Sequence, residues 1–458
     1  GPYLYTNRCG KPVDELWTNL GPEVINISYT GSRSIIHRVI QIDFSSISAF
    51  LTGFSTYPQP LRLRLRIFTI FFLYKQTHQA VRKGELSTIM KLVFDKADLV
   101  KSVGIAMKAV SGKTTMPILE CILIDASSNV IKFTSNDMEL GIETIVTGMI
   151  LERGIVALDA KIFSEIVRKL PDNQVTIETD ENLVTTITCE KAKFSIPGQS
   201  GEDFSYLPIL ETSDCVSISQ FTLKELIRQT IFSIAANENN KLMTGELFEI
   251  KDNTLRVVSL DGHRIAIRRI ELKDSYPDRK VVVPGKTLNE ISKILSGEMD
   301  DQIDIYFSEN HIMFKFDDTT VVSRLIDGEY FRIDQMLSSD YETKVTINKK
   351  EFLSCIDRAT LLVKEGDKKP IIIDIQDGAM ELQINSAMGS MKEEIDINKE
   401  GKDIMIGFNP KFLIDALRVI DDEEISIYLV NPKAPCFIRN EEESYIYLIL
   451  PVNFNSVR

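Results

Sequence analysis

The sequence predicts an α+β protein made of three tandem copies of one domain, each setting two helices on an antiparallel sheet. Three observations predict it. A helical motif with a base, an acid and a base along its polar face recurs at Lys161, Lys286 and Lys411, spaced by 125 residues each time. A shorter amphipathic segment precedes each copy of the motif. Alternating, strand-like segments lie between the two helices and again after the second. A period this long exceeds the roughly 20–50 residues of solenoid and propeller units and suits whole globular domains. A chain of 458 residues has room for three or four domains with real cores.

Residues 1–89 stand outside the repeat. They hold a Ser/Thr-rich middle (Ser45, Ser46, Ser48, Thr52, Ser55) and a run from Leu61 to Tyr74 that alternates apolar and basic residues before turning apolar. The apolar part is too short to cross a bilayer, and it lies too deep in the chain for a secretory signal. As an edge strand it would invite aggregation. Met90 is the expected natural start, with the preceding residues translated from upstream or engineered sequence; a genuine basic arm is the alternative.

The first copy is expected over 90–214. Met90-Lys-Leu-Val-Phe94 begins it, and Asp95-Lys-Ala-Asp-Leu99 opens its first helix. Thr115-Met-Pro-Ile-Leu119 reads as a loop feeding a strand, and Ile131-Lys-Phe-Thr134 as a strand. Ser135-Asn-Asp-Met-Glu139 is a turn. The second helix, Lys161–Leu170, places Ile162, Phe163, Ile166, Val167 and Leu170 on one face and Lys161, Glu165 and Arg168 on the other. That charged stripe reads as a solvated face with i,i+4 ion pairs. Val175-Thr-Ile-Glu178 and Lys193-Phe-Ser-Ile196 are further strands, the latter leading into a loop over 197–203.

The second copy, over 215–342, repeats the plan with Thr222-Leu-Lys-Glu-Leu226, Leu255-Arg-Val-Val258, the motif from Lys286 through Glu290 and Lys293, and Ile303-Asp-Ile-Tyr306. The third, over 343–458, has Asn348-Lys-Lys-Glu-Phe352, Leu382-Gln-Ile-Asn385, the motif from Lys411 through Asp415 and Arg418, and Ile425-Ser-Ile-Tyr428. Leu99, Leu226 and Phe352 align the first helices at spacings of 127 and 126. The chain closes on the strand Tyr445–Leu450 and then Pro451-Val452.

Composition narrows the function. Hydrophobic content of 43% and charged content of 26% are ordinary for a globular protein. The six cysteines show no CxxC pair, and several sit in apolar runs; buried free thiols and a reducing, cytoplasmic compartment follow. The four histidines are scattered, which argues against a His/Cys metal site. The net charge of −13 divides unevenly, since residues 90–458 carry 61 acidic and 43 basic residues. An acidic body repels a polyanion at long range, so the placement of the bases matters more than their number.

Asp261-Gly262-His263-Arg264 is the most enzyme-like stretch, because a His beside an Asp can run acid–base chemistry. The alternative is a hairpin turn between strands carrying Arg256, Val258, Ile265 and Ile267. Asp137 stands at the matching place in the first copy and Met388 in the third, so a catalytic site here would occur once. Walker, GxSxG, HExxH and GxGxxG patterns are absent from the sequence. Arg168, Lys293 and Arg418 share one helical register, and Lys101 and Arg228 match in the first two copies. Each base alone reads as solvated surface. Together, on one face of three equivalent domains, they suit loose contact with a phosphate backbone, without base readout.

Taken together, Met90-Lys-Leu-Val-Phe94, Thr115–Leu119, Asn136–Glu139, Asp261–Arg264, Leu325-Ile-Asp-Gly328 and Leu450-Pro451-Val452 resemble the bacterial sliding-clamp family, the beta subunits of DNA polymerase III. The resemblance covers 90–458 and excludes 1–89. It implies the DNA clamp fold: three domains per subunit and two subunits joined head to tail in a ring, with helices lining a hole that duplex DNA threads. It implies no enzyme activity, no cofactor and no metal. Lys101, Lys113, Arg168, Lys169, Arg228, Lys293 and Arg418 would then face DNA. Phe194 and Ile196 of one subunit would meet Leu361 and Leu362 of the next; a bland reading leaves all four in cores.

The family's partner-peptide pocket maps onto Met243, Leu260, Gly262, His263, Arg264, Ile265, Phe331, Met336, Leu448, Leu450, Pro451 and Val452, an apolar set suited to a short peptide with a few large anchors. Partners implied are the polymerase III catalytic subunit, the clamp loader and other proteins with clamp-binding motifs. At Phe331 the family usually has proline, so pocket shape is expected to differ. A protein-binding scaffold of the same fold that does not encircle DNA is the runner-up, and a hydrolase built on Asp261 and His263 a third reading.

Overall fold

The computed structural model describes residues 90–454 apart from 113, 212–214, 237–238, 365 and 368. The expected extension over 1–89 and Lys113 therefore lie outside the described residues. Six α-helices occur among the described residues: α1 (Lys96–Ala106), α2 (Ala160–Lys169), α3 (Gln220–Arg228), α4 (Gly285–Ser292), α5 (Lys349–Ala359) and α6 (Pro410–Val419). They pack in the pairs α1–α2, α3–α4 and α5–α6. The second helix of each pair starts at 160, 285 and 410, so the 125-residue period of the charge stripe is the period of the fold.

Local chemistry sets the helix starts. Asp159, Ser219, Asn348 and Asn409 each accept a backbone N–H in the first turn of their helix, at 2.8–3.0 Å. Pro284 precedes α4 without a side-chain cap. These caps correct one register. Thr222 reads as a helix start in the sequence, yet Ser219 is the cap and Thr222 N donates to it. The residue equivalent to Leu99 and Phe352, four past the cap, is therefore Leu223, one turn before Leu226. It follows that Lys101 and Arg228 do not share a position: six residues past their caps stand Lys101, Glu225 and Ser354.

Each helix pair covers its own apolar core. Leu92, Phe94, Phe133, Phe163 and Val167 centre the first; Leu223, Phe248, Leu288 and Phe314 the second; Phe352, Ile373, Leu413 and Leu417 the third. The strands Gln174–Thr179, Gln302–Phe307 and Glu424–Leu429 feed these cores with Val175 and Ile177, Ile303 and Ile305, and Ile425 and Ile427, the alternation expected of half-buried strands. Ile162, placed by its periodicity on the buried face, is instead 47% exposed.

The strand pairings among the described residues are antiparallel, and the sheets run on from one repeat to the next. Leu140–Val146 of the first repeat pairs with Thr319–Arg324 of the second. In the same way the start of Arg264–Pro284 in the second pairs with Tyr445–Ile449 of the third. The strand Ala192–Gln199 runs past its expected end at Ile196. Pro197 still sits opposite Val184, and Gly198 and Gln199 then cross to pair with Leu158 and Ala157. A side chain at Gly198 would meet Val156 at 2.6 Å and the Leu183 carbonyl at 2.7 Å, so glycine permits the crossing.

The five described cysteines carry free thiols, four of them buried. Burial pushes the Cys121 thiol up to about 11 and that of Cys436 up to about 12, so neither supplies thiolate near neutral pH. No helix among the described residues is long and apolar enough to cross a membrane.

Candidate functional site

The turn at 261–264 shows what the Asp-Gly-His-Arg sequence is for. Leu260 and Ile265 pair across the hairpin, and Asp261 Oδ1 accepts the N–H groups of His263 (2.9 Å) and Arg264 (3.1 Å). Gly262 takes φ +90°, the left-handed region that favours glycine. Arg264, only 7% exposed, is held on every side. Its Nε donates to Asp261 Oδ2 (3.1 Å), its Nη1 to Asp415 Oδ2 on α6 (2.7 Å) and its Nη2 to the Phe232 carbonyl (2.8 Å). The guanidinium also lies 4.5 Å from the centre of the Phe412 ring.

Asp261 therefore holds Arg264 and the turn, not His263. The His263 ring is exposed and stacked on Phe412, with ring centres 6.1 Å apart. A hydrolytic pair does not form here, and no cluster of three or more metal-ligating side chains occurs among the described residues.

The turn borders an apolar cluster built from both the second and third repeats. Leu260, Ile265 and Leu448 are buried in it, with Met243, Phe331 and Leu450 half-buried against it. Leu450 N donates to the His263 carbonyl at 2.9 Å, which fixes the last strand's end beside the turn. Of the twelve residues expected to form one pocket, these six share a cluster, and Gly262, His263 and Arg264 form its adjoining turn. Pro451 and Val452 are half-buried, and Val452 N donates to the Gly407 carbonyl at 2.9 Å, turning the tail onto the third repeat. Met336 is 43% exposed and stands outside the cluster. Leu242, Ile326 and Leu337 also pack against it and were missed. Leu242 could have been found as Met243's apolar neighbour; the other two carry no signal beyond their apolar character.

The helix bases fall into two groups. Lys101, Arg168 and Lys169 of the first repeat are exposed, with no ion pair among the described residues. Arg228 instead pairs with Glu225 (2.6 Å) and reaches Asp421 (3.5 Å), Lys293 pairs with Glu290 (2.9 Å), and Arg418 with Asp357 (3.3 Å). The base–acid–base stripe likewise has different partners in its copies. Lys411 bonds Asp415 within α6 at 2.8 Å, whereas Lys286 crosses to Asp137 of the first repeat.

Of the four residues expected at a subunit seam, Phe194 is 41% exposed and Leu361 74%. Ile196 and Leu362 are half-buried against the first and third cores. A Cβ at Gly389 would lie 3.6 Å from Leu362 Cδ2, which places Leu362 beside the strand Gly389–Asp396.

Comparison with known proteins gives a consistent family. Residues 90–208, 217–331 and 334–453 match, in that order, the N-terminal, central and C-terminal domains of the DNA polymerase III beta subunit. A protein of Staphylococcus epidermidis described as a beta sliding clamp is 33% identical over 375 residues, covering 80% of this chain and 99% of that one. Among solved structures, a protein of Eubacterium rectale described as a putative DNA polymerase III beta subunit is 71% identical, with TM-score 0.78, covering 80% of this chain and all of that one. The DNA polymerase sliding clamp of Bacillus subtilis is 35% identical, with TM-score 0.77, covering 80% and 99%.

Proposed function

This chain belongs to the family of DNA polymerase III beta subunits, the bacterial sliding clamps, and we propose that two copies close into a ring around duplex DNA. It is a processivity factor of DNA replication and not an enzyme. The domains are 90–214, 215–342 and 343–458, following an extension over 1–89, and the compartment is the cytoplasm.

One observation carries the ring. The junction between repeats occurs twice within the chain and is left open at both ends. At each internal junction a strand of one repeat pairs with the last strand of the next, and the turn leading into it reaches the next repeat's second helix: Asp137 to Lys286, then Arg264 to Asp415. In the third repeat the corresponding strand, Gly389–Asp396, is a sheet edge among the described residues. In the first repeat Ala192–Pro197 has a neighbour on one side only among the described residues. Ile162 stands where Phe412 receives the turn in the third repeat, three residues past the cap in each case, and is exposed. The two open ends are complementary and unlike, so copies join head to tail, and a closed ring is the finite product. Phe194, Ile196, Leu361 and Leu362 line that seam.

Within the ring, Lys101, Arg168, Lys169, Arg228, Lys293 and Arg418 face DNA. Exposed ion pairs such as Lys293–Glu290 contribute little, so these bases exchange a carboxylate for a phosphate at small cost. Residues 90–458 carry a net charge of −18 per subunit, so simple electrostatic affinity is poor and retention is topological. The groove around Leu260, Ile265, Leu448 and Leu450 takes short apolar anchors from the polymerase III catalytic subunit, the clamp loader and other partners.

The test is retention. Protein loaded on a circular duplex should survive a salt wash that strips electrostatic binders and should leave when the circle is cut. Loss from intact circles as salt rises would remove encirclement and leave a scaffold.

A further inference from the structure

A cavity of about 560 Å³ opens on the second repeat, next to the partner groove. Its apolar floor includes Leu247, Val282 and Tyr330, which belong to the same cluster as Leu260, Ile265 and Leu448. Phe331 lines the cavity and packs on that cluster, with its ring set edge-on to Tyr330 at 5.4 Å. The cavity therefore adjoins the apolar cluster beneath the proposed groove, with Phe331 common to both.

The charges around the cavity do not cancel. Arg256 is occupied by Glu249 and Asp334, both at 2.7 Å, and Lys280 by Glu249 at 3.0 Å. What remains on the exposed rim is Glu309, Asp327 and Glu329 against Arg332. An apolar floor under a rim with surplus carboxylate fits one kind of group: a long aliphatic stem ending in a cation. An anionic group such as a phosphate meets the wrong sign.

We propose that this cavity is a second subsite for partner segments, taking an arginine or lysine side chain that flanks the anchors seated in the groove. The assignment rests on the groove being a peptide site. It makes the choice among partners partly electrostatic, since anchors alone fill only the apolar side of Phe331.

The test uses the full chain and hexapeptide probes with Leu and Phe anchors, measured by fluorescence anisotropy. One pair carries arginine or its neutral isostere citrulline before the anchors, and a second pair carries it after them. In one of the pairs the arginine probe should bind about five-fold tighter at low salt, with the gap closing as salt rises. Glu309→Gln with Glu329→Gln should erase that preference and leave the citrulline probe unaffected, with unchanged melting as the check on folding. Equal binding of arginine and citrulline in both pairs, or a preference that survives neutralisation, overturns the subsite. Leu448→Asp separates the two claims, because it should abolish binding of every probe. If no probe binds the parent protein, the groove reading falls and the subsite falls with it.

Discussion

Glu246 occupies a costly position. It is fully buried; Thr230 donates to its Oε2 at 3.2 Å, and its Oε1 has no partner. Burial raises its carboxyl well above the usual carboxylate range. The native state then holds a proton that the unfolded chain releases, so this residue's stabilising share is complete below the unfolded pKa and is lost as pH rises through the folded one. Glu246→Gln should therefore raise the melting temperature most at alkaline pH and flatten its dependence on pH above the usual carboxylate range, as read from melts taken across pH. A variant melting below the parent at alkaline pH would mean that the charged form has a role. Nothing in the sequence around Glu246 marks it, because it stands among apolar residues only by its strand's alternation. Arg264 shows the same limit. Its place in a turn beside Asp261 was legible, but its bond to Asp415, 151 residues away, was not. Asp415 read as an in-helix partner of Lys411, which it also is.

At the scale of elements the sequence was most informative where a pattern repeats. The second helices kept a strict 125-residue period because each starts at the same distance from its cap, and their apolar faces are wide. The first helices were harder, since Ser219 and Thr222 are both cap-forming residues one turn apart and only the folded chain selects between them. Ser219→Ala should destabilise the second repeat by about 1 kcal/mol, and Thr222→Ala by less, as read from denaturant midpoints. Equal effects would mean that the helix frays between the two starts. The proposed partner groove could be assembled as a set of residues only through the family resemblance. Its members come from distant segments, and apolar periodicity assigns each of them to a strand without saying which strands meet. Arg168, Lys293 and Arg418 were legible by register, but the ion pairs of Lys293 with Glu290 and of Arg418 with Asp357 depend on local rotamers that spacing does not fix.

For the whole molecule, the proposed ring stands or falls on the proposed seam between copies. Leu361→Asp with Leu362→Asp would bury charge against Phe194 and Ile196 of the next copy, at a cost of several kcal/mol. Both leucines lie on the surface side of the third core, so the expected product is a folded monomer, visible in sedimentation. Dimers that persist would place the seam elsewhere. The unlike open ends of the chain have a further consequence for mixtures. A chain spoiled at Leu361 and Leu362 still has a sound strand Ala192–Gln199, and one spoiled by Phe194→Asp still has a sound strand Gly389–Asp396. Neither should self-assemble, yet mixed one to one they should complement each other through a single intact seam. The product would be a crescent with the mass of two chains and a permanent gap. It should bind partner peptides as well as the proposed closed ring, and slip off a circle as readily as off a cut one.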